Sequence, residues 1–143
     1  MVPVGDDVSR AYCEKWRYQL YTQPAYGWRM QGCFIEMPAF ERMRERYLND
    51  EAYSRLQDFL LLEPELGDLI QGTGGLRKIR FRDARRGKGK RGGLRVIYYY
   101  WLGAAEFWLF TVYDKNEVAD LTREQKERLR VQLSTELTRR TFN

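Results

Sequence analysis

The apolar and polar positions of this chain change period along its length, and each change marks an element. The run Cys33-Phe34-Ile35-Glu36-Met37 reads as a short strand. Pro38 then opens a helix, at a position where the missing N–H costs no hydrogen bond. Phe40, Met43, Tyr47 and Leu48 fall on one face of that helix. Asp50 is the expected cap of a second helix, whose apolar face is Tyr53, Leu56, Phe59 and Leu60. Pro64 and Gly67 end it, and Gly72-Thr73-Gly74-Gly75 is a turn. Strict alternation follows. Residues 76–82 predict a strand with Ile79 and Phe81 on one side and Lys78, Arg80 and Arg82 on the other. Residues 94–101 and 106–113 predict two more. In the last, Leu109, Thr111 and Tyr113 are expected to share a face, with Trp108, Phe110 and Val112 opposite. Thr122, with Gln125 three residues on, is a capping box that starts a final helix, and Leu129, Leu133 and Leu137 form its buried stripe.

The order strand, two helices, three strands, helix predicts an α+β fold. Short connections between the later strands favour an antiparallel sheet, with two N-terminal helices and a C-terminal helix packed on it. The helices are expected to cover one face and leave the other open and wet, with Lys78, Arg80 and Arg82 projecting from it. Residues 1–32 read differently. Tyr12, Trp16 and Leu20 suit a short helix over residues 10–21, and Pro24 and Gly27 break the pattern. We divide the chain into an N-terminal extension, 1–32, and a domain, 33–143. The extension is either an added arm or translation from an upstream start, with Met30 nearer the functional beginning.

Composition narrows the chemistry. There is no histidine, and Cys13 and Cys33 are the only cysteines, so the Cys/His set of a zinc site is missing and no disulfide framework is expected. No metal or other cofactor is expected. No apolar run is long enough to span a bilayer, and no signal peptide is visible, so a cytoplasmic protein without a membrane partner is the expectation. The net charge is +5, but it is concentrated. Residues 77–95 hold ten Lys or Arg and one acid, Asp83, a local +9 that leaves the rest of the chain at −4. Such a cluster is a footprint for a polyanion, although a solvated loop kept basic for solubility gives the same composition.

Three stretches carry a family resemblance. They are Leu66-Gly67-Asp68-Leu69-Ile70-Gln71-Gly72-Thr73-Gly74-Gly75-Leu76-Arg77-Lys78-Ile79-Arg80, Gly87-Lys88-Gly89-Lys90-Arg91-Gly92-Gly93-Leu94-Arg95-Val96-Ile97-Tyr98-Tyr99, and Tyr113-Asp114-Lys115-Asn116-Glu117. In series, with the predicted elements between them, they resemble the RelE/ParE superfamily, and within it the HigB-type toxins, over about residues 33–135. The resemblance implies a metal-independent messenger-RNA endoribonuclease, the toxin of a type II toxin–antitoxin system. Such toxins act in the ribosomal A site and are held inactive by a cognate antitoxin, often one with a helix-turn-helix DNA-binding domain. Its implied partners are therefore messenger RNA, the ribosome with its RNA, and that antitoxin.

The implied reaction is attack of a ribose 2′-hydroxyl on the adjacent phosphate. It needs a proton acceptor, cations around phosphorus and a proton for the leaving 5′ oxygen. By position, Lys78 and Arg80 match the paired cations of the RelE strand, and Arg95 matches the arginine of the next strand. Lys78 is the candidate base, because crowding by Arg77, Arg80 and Arg95 would favour its neutral form. Arg80 and Arg95 are candidate phosphate clamps, since guanidinium holds phosphate oxygens bidentately. Lys115 is a fourth candidate catalytic cation. Candidate RNA contacts are Arg77, Arg82, Arg85, Arg86, Lys88, Lys90, Arg91, Tyr113 and Asn116. Asn116 and Thr122 fall where RelE has an arginine and a catalytic tyrosine. These departures leave the general acid to Tyr113, Lys115, Glu117 or the ribosome. Plainer readings stay open: a solvated edge strand for Lys78, Arg80 and Arg82, a cross-strand ion pair for Arg95, a turn for Lys115 and Glu117. Tyr98, Tyr99, Tyr100 and Trp101 read as core and strand filler rather than base-stacking platforms. Rival functions are a non-catalytic RNA or ribosome binder and a ParE-like gyrase inhibitor. Arg95→Ala is expected to abolish toxicity and leave the fold intact.

Overall fold

A computed structural model describes residues 32–82, 93–117 and 120–141, together with the backbone pairing of β1 (Tyr21–Thr22) with β2 (Arg29–Met30). The helix expected over residues 10–21 and the basic loop from 83 to 92 lie outside the described residues. The elements that follow are β3 (Cys33–Glu36), α1 (Pro38–Tyr47), α2 (Asp50–Leu62), β4 (Asp68–Leu69), β5 (Arg77–Phe81), β6 (Leu94–Trp101), a 3₁₀ turn (Leu102–Ala104), β7 (Glu106–Asp114) and α3 (Arg123–Thr141). Pro38 starts α1, and Phe40, Tyr47 and Leu48 are buried from it. The cap of α2 is Asn49, not Asp50: the Asn49 side chain accepts the Ala52 N–H at 2.8 Å, and Asp50 is the first helical residue. Tyr53, Leu56 and Leu60 face inward as the periodicity requires. Phe59 does not; it is 49% exposed, and Leu61 takes its place. Positions 53, 56, 57, 60 and 61 form one arc of a 3.6-residue helix, and 59 lies at its margin. From there Phe59 still meets the Phe81 ring edge-on at 6.1 Å.

The sheet order is β3-β7-β6-β5-β4. β5, β6 and β7 form the expected antiparallel meander, but β3 runs parallel to β7, with Phe34 opposite Phe107, so the sheet is mixed. A parallel neighbour needs a long crossover, which α1, α2 and the inner strands supply. A register shift between Ile97 and Tyr98 inserts an extra residue into β7. It changes the phase of alternation. Phe107, Leu109 and Val112 face α1 and α2, whereas Trp108, Phe110 and Tyr113 face the other way. The expected grouping of Leu109 with Tyr113, and of Val112 with Trp108, fails because a bulge is invisible to period-2 counting.

The two faces carry separate cores. On the first, Phe34 stacks on Phe107 at 4.8 Å among Phe40, Leu56, Val96 and Leu109. The second face is not left open. α3 lies on it, and Leu133 is buried against a cluster containing Leu76, Ile97, Trp108 and Phe110, with Leu129 and Leu137 half-buried. Large apolar groups project from both sides of β6 and β7, so both sides need cover. At its C-terminal end α3 is held by Arg140, which donates to Glu106 Oε2 at 2.6 Å and lies 4.6 Å over the Trp108 ring. Trp108 Nε1 donates to the same oxygen at 2.9 Å. At the start of α3 the capping box forms in both directions: Gln125 N–H to Thr122 Oγ1 at 3.1 Å and Thr122 N–H to Gln125 Oε1 at 2.9 Å. Cys33 is disulfide-bonded. No helix among the described residues is long and apolar enough to cross a membrane.

Candidate nucleic-acid interface

Strand pairing places the cations. In an antiparallel ladder, directly opposed residues project to the same side. Arg80 lies opposite Arg95, and Arg95 opposite Tyr113, which makes one row across β5, β6 and β7. Lys78, Ile97 and Thr111 form the next row on the same face. The strand edge is set by Gly93, whose φ of +59° and whose hypothetical Cβ, 2.9 Å from the Phe81 carbonyl oxygen, exclude other residues there. The row is graded. Arg80 is exposed, Lys78 is half-buried, and Arg95 is only 4% exposed. The Arg95 guanidinium makes a long bond, 3.4 Å, to the carbonyl of Leu94. Its burial changes the expectation for Arg95→Ala, because the side chain has a packing role as well as a charge.

Tyr113 ends the row. It is 6% exposed, and its hydroxyl is buried with no hydrogen-bond partner. Burial pushes the phenol above its ordinary pKa; the Asp120 carboxylate adds to that, and Arg95 opposes it. Asp120 also stands 3.9 Å from Lys78 Nζ. Sequence reasoning missed this residue. It lies in the loop before α3, where nothing in the local pattern tells which strand it will face.

The remaining candidates are dispersed. Arg77 pairs with Tyr98 and so projects to the opposite face from Lys78 and Arg80. There its guanidinium donates to the carbonyls of Glu65 at 3.1 Å and Gly67 at 2.8 Å. It thus fastens the loop after α2 and does not join the crowding expected around Lys78. Tyr98 serves the same loop: its hydroxyl accepts the Gly67 N–H at 3.0 Å and donates to Pro64 O at 2.9 Å. Gly67 is needed there, since a Cβ would come within 2.9 Å of the Tyr98 ring. Burial raises the Tyr98 phenol pKa. Tyr99 packs against Trp108 at 5.2 Å. Arg82 is exposed just beyond β5. Lys115 and Asn116 are exposed in the turn after β7, which is fixed by the Asn116 N–H donating to Asp114 Oδ1 at 2.9 Å. Glu117 accepts the Tyr47 hydroxyl at 2.8 Å and Arg46 at 3.2 Å, so it latches this turn to α1. Arg85, Arg86, Lys88, Lys90 and Arg91 lie outside the described residues.

No family model matches the chain. Among solved structures it is similar to a double-arginine mutant of the E. coli toxin RelE in the free state, with a TM-score of 0.47 and 14% identity over 67% of this chain and 95% of that one. It is also similar to the intact E. coli RelBE toxin–antitoxin complex, with a TM-score of 0.39 and 17% identity over 55% of this chain and 90% of that one.

Proposed function

We propose that this chain is a metal-independent endoribonuclease that cuts messenger RNA in the ribosomal A site and so inhibits translation, as the toxin of a type II toxin–antitoxin pair. The observation that carries this reading is the pairing of Arg80 with Arg95, with Lys78 on the same face. A phosphodiester held against these cations is favoured most when it carries the extra negative charge of its transition state. Arg80 and Arg95 hold the phosphate oxygens, and Lys78 supplies a third positive charge. Arg82 and the basic loop contact RNA backbone without reading sequence. A cognate antitoxin, with a helix-turn-helix DNA-binding domain, keeps the toxin inactive. A toxin that acts on messenger RNA and ribosomes works in the cytoplasm.

The test is to map message 5′ ends after brief induction of the wild type, Arg80→Ala and Arg95→Lys. New ends inside reading frames are expected with the wild type only; the lysine keeps a charge at 95 but loses the planar fork. Stalled ribosomes on intact messages would replace this reading with a non-catalytic ribosome binder. Broken DNA with intact messages would replace it with a gyrase inhibitor.

A further inference from the structure

We propose that Asp120 is the proton acceptor of this site, taking the ribose 2′-hydroxyl proton while Lys78 returns a proton to the leaving 5′ oxygen. The inference rests on the nuclease reading above. The chain has no histidine. Charged lysine and arginine have no lone pair to offer, and an aspartate is ordinarily ionised at neutral pH. The Asp120 carboxylate stands 3.9 Å from Lys78 Nζ, on the face that presents Arg80 and Arg95. It is 62% exposed at its side chain, so RNA can reach it.

Tyr113, in register with Arg95, responds to the same acid: its phenol is pushed above the ordinary range first by burial and then by the Asp120 carboxylate, with Arg95 opposing. The backbone on the C-terminal side of Asp120 is fixed: Leu121 packs against the second core, and the Thr122–Gln125 box begins the helix. The charged and titratable groups that share the sheet face of Lys78 are Arg80 from β5, Arg95 from β6 and Tyr113 from β7. An acid at a phosphate site weakens binding by repulsion, and Lys78 offsets this.

The step balances within the pair. The 2′ O–H bond breaks and its proton passes to a carboxylate oxygen of Asp120. The 2′ oxygen bonds to phosphorus as the bond from phosphorus to the 5′ oxygen breaks. The electron pair of that bond stays on the 5′ oxygen, which takes a proton from Lys78 Nζ. The products are a 2′,3′-cyclic phosphate and a 5′-hydroxyl. Asp120 is left protonated and Lys78 neutral, and one proton transfer between these neighbours restores the starting state.

The experiment measures single-turnover cleavage of message on programmed ribosomes against pH, using the full chain as wild type, Asp120→Asn and Asp120→Glu. Asp120→Asn is expected to lower the rate by about 10²–10⁴-fold and to abolish the acidic limb of the profile, with RNA binding unchanged or tighter. Asp120→Glu is expected to restore the limb. An asparagine variant that cuts as fast as the wild type or faster, with its acidic limb intact, overturns the assignment and leaves the carboxylate as a source of repulsion only. A wild type that leaves no cut ends overturns the nuclease reading itself, which is a different result.

Discussion

On the face covered by α1 and α2, the three long strands present Ile79, Val96, Leu109 and Val112, and every one of them is buried. On the face covered by α3, the same strands present Ile97, Trp108 and Phe110 at one end and Arg80, Arg95 and Tyr113 at the other. The first face is uniform and the second is divided. A single helix is enough for the apolar half of the second face. The cationic half gains nothing from apolar cover and runs out to solvent at Arg80. Apolar burial is thus spread across the face that two helices cover, and the site proposed above lies at the end of the other, where only Arg80 of its row is exposed.

Substitutions on the two faces test that division. Phe34→Ala removes a fully buried ring stacked on Phe107 and is expected to cost about 3–5 kcal/mol in denaturant unfolding. A cost under about 1 kcal/mol would show that the first face does not dominate stability. Tyr98→Phe leaves the Gly67 N–H and the Pro64 carbonyl without their bonds, and about 1–2 kcal/mol is expected. Tyr98 also gives the comparison a pH dependence. Because burial raises its folded pKa, its contribution is complete below about pH 10 and is lost as pH rises through the folded value. The phenylalanine variant should lack that alkaline loss in a melting series. Arg80→Ala is expected to change stability least, by no more than about 0.5 kcal/mol, while abolishing the proposed cleavage. An Arg80 variant that unfolds readily would make this residue part of the scaffold.

Much of the architecture is legible in the residues. Pro38, the Thr122–Gln125 box and the alternation of Lys78 to Arg82 each mark an element by local chemistry. The misses share a cause. Asn49 and Asp50 are both good caps, and only the geometry of the turn chooses between them. The bulge in β7 comes from pairing with β6, not from its own sequence. Arg77 carries the same charge as its neighbours, and strand parity sends it to the loop after α2. Arg95 reads as a phosphate clamp whose loss would spare the fold, yet the packing around it buries it.

Residue order alone was enough to set the three helices and four of the strands between residues 33 and 141, and to gather positive charge between residues 77 and 95, because periodicity, capping and composition act over a few neighbours. Which cations stand together, which are diverted to hold loops, and that Asp120 reaches Lys78 were decided by strand register and by the path of the chain into α3. Those contacts join residues up to 42 positions apart, and no short-range pattern encodes a distance that only the folded sheet defines.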